Sequence, residues 1–178
     1  MKRSSKTNPI RFLTESAVIA ALYAALTFAA GALNLAYGPV QFRFSEALTI
    51  LPVFTPAAVP GLLVGCVIGN ITSPFGWVDI VCGASATLIA AVCTRALRKV
   101  RLHGIPLLAP LPPVLFNALI VGAEITLLAP GATLAAFLYA AFTVGLGQLV
   151  VCYGLGLPLY GALRPAKKHL FVCGERTA

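Results

Sequence analysis

Residues 45–73 read SEALTILPVFTPAAVPGLLVGCVIGNITS, an apolar stretch with Glu46 as its single charge and prolines at 52, 56 and 60. Proline lacks a backbone N–H and clashes with the preceding helical turn, so the stretch is expected to break into a short helix over 45–55 and a longer one over 57–73. Crossing roughly 30 Å of hydrocarbon takes about 20 helical residues. The short piece is therefore a re-entrant turn or a brief crossing helix, and the choice fixes the topology of the whole chain.

The rest of the sequence decides it. With 59% hydrophobic residues, 10% charged residues and a mean hydropathy of +0.93, the chain lies far outside the range of water-soluble proteins. Its long Leu/Ala/Val runs suit transmembrane helices better than the alternating strands of a barrel. Such runs cover residues 12–33, 78–96, 105–128 and 133–163. Lys2, Arg3, Lys6 and Arg11 precede the first run, Arg95, Arg98, Lys99 and Arg101 follow the second of these, and Arg164, Lys167 and Lys168 follow the last. Basic residues concentrate in cytoplasmic connections, which places both termini and the 96–105 connection on the cytoplasmic side. Three crossings must then lie between residues 34 and 95, so the short piece is a crossing helix. The expectation is an all-α integral membrane protein, one membrane domain over 1–178, with six transmembrane helices and a short, proline-bounded second helix. Of thirteen Lys and Arg residues, only Arg43 then falls on the outer side. The basic N-terminus also suits a cleaved signal peptide, but the run after it is long enough to span and the remaining chain is equally apolar.

Several function classes drop out. The net charge of +8 sits in short clusters beside apolar runs without aromatic partners, which marks topology and not a nucleic-acid surface. The five cysteines form no CxxC pair and four of them lie inside apolar runs, so neither a disulfide framework nor a metal site is expected. No GxxxxGK[ST] phosphate loop, HExxH or GxSxG motif occurs, and no catalytic residue or cofactor is assigned to this chain. A channel fits poorly, because the polar residues stop near mid-depth.

In the expected topology Glu46, Asn70, Asp79 and Glu124 all fall in the outer third, with Gln41, Arg43 and Trp77 in the adjoining connections, Tyr139 just inside the last helix, and Asn117 and Gln148 near mid-depth. Ionisable groups at membrane depth are costly and normally face a partner or a wet cavity, which points to an outward-facing polar pocket. Each residue also has a plainer role. Asp79 can stabilise a helix N-terminus and Glu46 can pair with Arg43 at i, i+3; Asn70 and Asn117 can join helices; Trp77 and Phe42, Phe44 and Phe75 can form an interfacial belt or stack on a flat ring. Three carboxylates against one guanidinium favour a cation or a planar heterocycle rich in N–H donors. Small residues recur at every fourth position: Ala17, Ala21, Ala25 and Ala29 in the first helix, and Gly61, Gly65 and Gly69 in the third. Such rows permit close helix approach, within the bundle or, for the first helix, against an external partner.

The runs VQFRFSEALTILPVF, PGLLVGCVIGN and GWVDIVCGASATLIAA resemble the queuosine-precursor transporter family over about residues 12–163. The resemblance implies a substrate-specificity subunit (S component) of an energy-coupling factor (ECF) transporter in the plasma membrane of a prokaryote. Such a subunit binds a 7-deazaguanine queuosine precursor, preQ1, preQ0 or queuine. It works with a transmembrane coupling subunit (EcfT-like) and two cytoplasmic ATPases that use the ATP. The family's first-helix docking row matches Ala17, Ala21, Ala25 and Ala29, and its lid matches residues 35–46. Within that frame the chemistry suggests Glu124 and Asp79 as polar anchors, Asn70 and Asn117 as orienting groups, Trp77 or Phe42 for stacking, and Arg43 with Glu46 as the lid's ion pair, with Tyr139 also among the substrate-binding residues. An S component for another vitamin such as the cation thiamine, and a structural membrane protein whose polar residues only join helices, are the alternatives.

Overall fold

A computed structural model describes residues 8–36, 40–102 and 104–171. Lys2, Arg3 and Lys6, and part of the expected lid, lie outside the described residues. Helix α1 (Pro9–Ala32) starts at Asn8, whose side chain accepts from the Ile10 amide at 3.0 Å, with Pro9 at the first helical position. A 3-10 helix follows over Phe44–Val53. Then come α2 (Ala58–Gly69), α3 (Trp77–Ala96), α4 (Leu111–Leu128), α5 (Leu134–Gly154), α6 (Gly156–Leu163) and the short α7 (Lys167–Leu170). Short 3-10 turns extend α2 through Thr72 and α3 through Lys99. The described residues contain no strand.

Among the described residues, four helical stretches are long and apolar enough to cross a membrane: Pro9–Ala32, Trp77–Lys99, Leu111–Leu128 and Leu134–Leu163. Phe44–Val53 and Ala58–Thr72 are shorter. Two boundaries differ from the sequence expectation. The helix expected from residue 105 begins at Leu111, because Pro106 and Pro110 bias the residues before them away from the helical region, and Ile105 pairs instead with Leu102. The long final helix breaks at Leu155 between α5 and α6. Pro158 supplies the reason, since its ring opposes the carbonyl four residues back, at Gly154.

The glycine row of α2 is what brings α1 close. A Cβ on Gly61 would lie 2.7 Å from the Ser16 carbonyl oxygen, and one on Gly65 would lie 2.7 Å from Tyr23 Cβ. α2 packs on α3, α3 on α4, and α4 on α5. The 3-10 segment runs through the interior, touching α1 on one side and α3, α5 and α6 on the other, with Ser45 through Val53 all buried. Its two ends meet the two ends of α3: Arg43 reaches Asp79 in the first turn of α3, and the Pro52 carbonyl accepts from Arg95 in its last. Asp79 and Arg95 stand about 24 Å apart along α3 at roughly 1.5 Å per residue. From Arg43 to Pro52 the segment covers about 18 Å in 3-10 form, against about 14 Å as an α-helix. The tighter, longer helix and the two arginine side chains together let ten residues run the length of α3. The segment does not turn back on itself.

At the Arg95 end, Phe54 stacks on Tyr160 and Phe171 with ring centroids 5.0 and 5.2 Å apart, and Arg11 donates to the His169 carbonyl at 3.2 Å. On α1 the inward face is Ser16, Ile19, Ala20, Tyr23, Ala24, Thr27 and Ala30, so Ala17, Ala21, Ala25 and Ala29 are exposed on the outside of the bundle.

Candidate functional site

The site is built where the 3-10 segment begins and α3 starts. Arg43, the residue capping that segment, is 3% exposed and therefore needs partners for its charge. Its Nη2 meets Asp79 Oδ2 at 3.2 Å and Oδ1 at 3.4 Å, its Nη1 donates to Asn70 Oδ1 at 3.3 Å, and its Nε donates to the Ala36 carbonyl at 3.3 Å. Asn70 Nδ2 in turn donates to the Asp79 carbonyl at 3.0 Å. The absence of a side chain at Gly83 makes room, since a Cβ there would lie 2.5 Å from Asn70 Nδ2. Burial works against the charge on Arg43, but the Asp79 carboxylate holds its pKa above the ordinary arginine value. Asp79 also sits in the first turn of α3, where the helix dipole favours an anion.

Sequence spacing suggested Arg43 and Glu46 as an ion pair in a lid. The structure instead pairs Arg43 with Asp79, and Glu46 turns to α1, where Tyr23 Oη donates to Glu46 Oε1 at 2.5 Å. Both residues lie in the interior, at 3% and 1% exposure, so partners on other helices prevail over a neighbour along the chain. The Glu46 carbonyl accepts from Thr49 Oγ1 at 2.6 Å and faces Cys152 Sγ at 3.7 Å. Thr27 Oγ1 donates to Ser45 Oγ at 2.8 Å beside them.

Glu124 on α4 is 3% exposed, and neither of its carboxylate oxygens has a hydrogen-bond partner among the described residues. Glu46 Oε2 is in the same condition. Native buried polar atoms are rarely left so, because an uncompensated buried carboxylate is costly. Asn117 lies two turns before Glu124 and donates to the Pro113 carbonyl at 3.0 Å within its own helix. Gln148 accepts weakly from Cys152 Sγ at 3.6 Å. The Gln41 backbone lies directly against Gly147 of α5, with no room for a Cβ between them.

Arg43, Asn70 and Asp79 thus come together, with Glu46 one turn along the 3-10 segment. Glu124 and Asn117 are buried on α4. Trp77 and Tyr139 do not join them: they are 75% and 66% exposed on the outside of the bundle. Trp77 is two positions from the buried Asp79, about 200° around the helix. Tyr139 adjoins Ala140, which begins the inward row Ala140, Val144, Gln148. Phe42 and Phe75 are half-buried. Reasoning from sequence missed Tyr23, Ser45, Thr49 and Cys152. A signal was present for Tyr23, since Ser16, Tyr23 and Thr27 fall on one face of an otherwise apolar α1.

The arrangement offers acceptors in a dry setting: bare carboxylate oxygens on two elements and a guanidinium already engaged. It can accept N–H donors from a ligand. Among the described residues no cluster of His, Cys, Asp and Glu could hold a metal ion.

Comparison with known proteins places these residues in context. A family model described as "QueT transporter" matches residues 13–165. The chain is 41% identical over 73 residues to the queuosine precursor transporter QueT of Lactococcus lactis subsp. cremoris (strain MG1363), an alignment covering 41% of this chain and 43% of that protein. The chain therefore spans less than half the length of this curated relative in the alignment. No solved structure matches it significantly. The family match runs from the first turns of α1 past the end of α6 and takes in every residue of the buried cluster, and on that ground the chain belongs to the QueT transporter family.

Proposed function

We propose that this chain is the substrate-specificity subunit of an ECF-type importer and captures a 7-deazaguanine queuosine precursor at the Arg43–Asp79–Glu124 end of the bundle. The observation that carries the reading is Glu124, a buried carboxylate whose two oxygens meet no donor among the described residues. A guanine-like ring presents adjacent N–H donors along one edge, and a carboxylate accepts such a pair in bidentate fashion. Asp79, fixed by Arg43 and Asn70, is close enough to Glu124 for their charges to interact. Asn117 supplies an amide on the Glu124 helix, and Phe42, like Phe44, adjoins Arg43 in sequence. Trp77 and Tyr139 serve as membrane-interface aromatics. The relative's printed substrate, a queuosine precursor, agrees with this chemistry.

The basic residues Arg11, Arg95, Arg98, Lys99, Arg101, Arg164 and Lys167 all lie toward the opposite end from Arg43 and Asp79, which the positive-inside rule assigns to the cytoplasm. In that orientation the 3-10 segment and α2 complete six crossings, and the site opens to the outside of a prokaryotic plasma membrane. The exposed alanine row of α1 offers a smooth face for a transmembrane coupling subunit, and ATP is hydrolysed by two cytoplasmic ATPases and not by this chain.

Binding tests the reading. The purified protein in nanodiscs should be thermally stabilised by micromolar preQ1, preQ0 or queuine, and Glu124→Gln should weaken binding about tenfold or more. Stabilisation by thiamine and by none of the deazaguanines would overturn the substrate assignment.

A further inference from the structure

Glu46 and Glu124, the carboxylates with bare oxygens at this end of the bundle, are not equivalent. Glu124 presents both oxygens, the pattern that suits a pair of parallel N–H donors. Glu46 presents one. Its Oε1 is occupied by the Tyr23 hydroxyl at 2.5 Å, and only Oε2 lacks a partner among the described residues. Its position is fixed from several directions, for its carbonyl accepts from Thr49 at 2.6 Å and the neighbouring Ser45 hydroxyl is held by Thr27 at 2.8 Å. Tyr23 and Glu46 are each 1% exposed, so the remaining oxygen is shielded from bulk solvent. The available cation does not fill the role, because Arg43 spends its Nη atoms on Asp79 and Asn70.

A fixed carboxylate with one free oxygen in a dry setting suits a single donor, and a charged donor makes the stronger bond. We infer that Glu46, oriented by Tyr23, is a second ligand carboxylate that receives a primary ammonium group carried by the ligand apart from its guanine-like N–H edge. The site then selects an aminomethyl-substituted deazaguanine over one with a neutral substituent. Glu46 touches the ligand; Tyr23 is a positioning residue that acts through Glu46. This inference rests on the importer reading and goes further, because it assigns the two carboxylates to different parts of the ligand.

The test compares two probes with the same ring, 7-aminomethyl-7-deazaguanine and 7-cyano-7-deazaguanine, by calorimetric titration of the full chain in nanodiscs. The wild type should prefer the amine. Glu46→Gln should cut the amine-to-nitrile affinity ratio about tenfold or more. Tyr23→Phe should lower the same ratio by a smaller factor, and the double variant should lower it no further than Glu46→Gln alone. A general packing defect would weaken both probes alike and leave the ratio in place. Wild-type ratios in both single variants, or no preference in the wild type, would overturn this inference while leaving the importer reading intact. If the wild type bound neither probe, the importer reading would fall first and this one with it. Should Glu46→Gln not yield folded protein, the Tyr23→Phe ratio decides, and an unchanged ratio there is sufficient to overturn the assignment.

Discussion

Arg95 donates to the carbonyl oxygen of Pro52 at 2.9 Å and so ties the last turn of α3 to the far end of the 3-10 segment. Hydrogen bonds from charged groups contribute about 1.5 to 3 kcal/mol, more than neutral ones. Arg95→Met should therefore destabilise the protein by about 1 to 3 kcal/mol in detergent unfolding. Hydrogen exchange provides the local readout: the amides of Phe54 and Thr55, which bond to the Leu51 carbonyl, should exchange faster in the variant. Wild-type protection there would mean that the segment holds its position without Arg95.

The opposite joint should be more sensitive. Arg43 and Asp79 are 3% and 1% exposed, and removing one member of a buried pair strands the other, at a cost of about 3 to 5 kcal/mol. Arg43→Met should show that loss in equilibrium unfolding. Because the penalty comes from the stranded carboxylate, the double variant Arg43→Met with Asp79→Asn should recover part of the stability. A double variant whose loss equals the sum of the two single losses would show that the pair is not energetically coupled.

These joints also mark what the sequence disclosed. Hydropathy and the prolines at 52, 56 and 60 located nearly every helix, and the polar residues in an apolar chain singled out Arg43, Asn70, Asp79 and Glu124. Partners were harder to read. Arg43 and Glu46 looked paired because helical spacing is visible along a chain, whereas Asp79 lies 36 residues away and Tyr23 lies 23 away from their true partners. The 3-10 form of Phe44–Val53 was not legible either, since it depends on the length of α3 that the segment must match. Trp77 differs from these: its two-residue offset from Asp79 already places it about 200° around α3, so helical register, and not closeness in sequence, was the guide to its side.

Close packing of α1 on α2 gives a contrast between two glycines. A Cβ on Gly65 would lie 2.7 Å from Tyr23 Cβ and 2.8 Å from the Ala20 carbonyl oxygen, whereas one on Gly161 in α6 would meet nothing within 4 Å. Gly65→Ala should cost about 1 to 3 kcal/mol through overpacking. Gly161→Ala should be neutral or stabilise by about 0.5 to 1 kcal/mol, as expected for glycine replaced inside a helix. Thermal unfolding of both variants checks this, and equal effects would mean that the α1–α2 contact is looser than described.

The proposed orientation predicts labelling from opposite sides. Ala132 lies in the α4–α5 connection and Lys99 lies at the end of the α3 extension, at opposite ends of the bundle. In a background with the native cysteines replaced, Ala132→Cys should react with a membrane-impermeant maleimide on intact cells. Lys99→Cys should react only after permeabilisation. The reverse pattern would invert the topology, and labelling of both from one side would remove one of the two short crossings.

The face that α1 turns away from the bundle carries the last prediction. Ala17, Ala21, Ala25 and Ala29 are exposed at a four-residue spacing while Ser16, Tyr23 and Thr27 of the same helix are buried, so the row is free of duties inside the protein. Small side chains let a second helix approach closely in lipid, where packing and not hydrophobicity drives association. Ala21→Trp projects an indole into that approach without touching the interior. The variant should keep the wild-type unfolding temperature and the proposed affinity for deazaguanine, yet lose co-purification with the proposed transmembrane coupling subunit and its two ATPases. Retention of the complex would place the docking surface elsewhere on the bundle, whereas loss of folding would mean that α1 packs differently from the arrangement seen here.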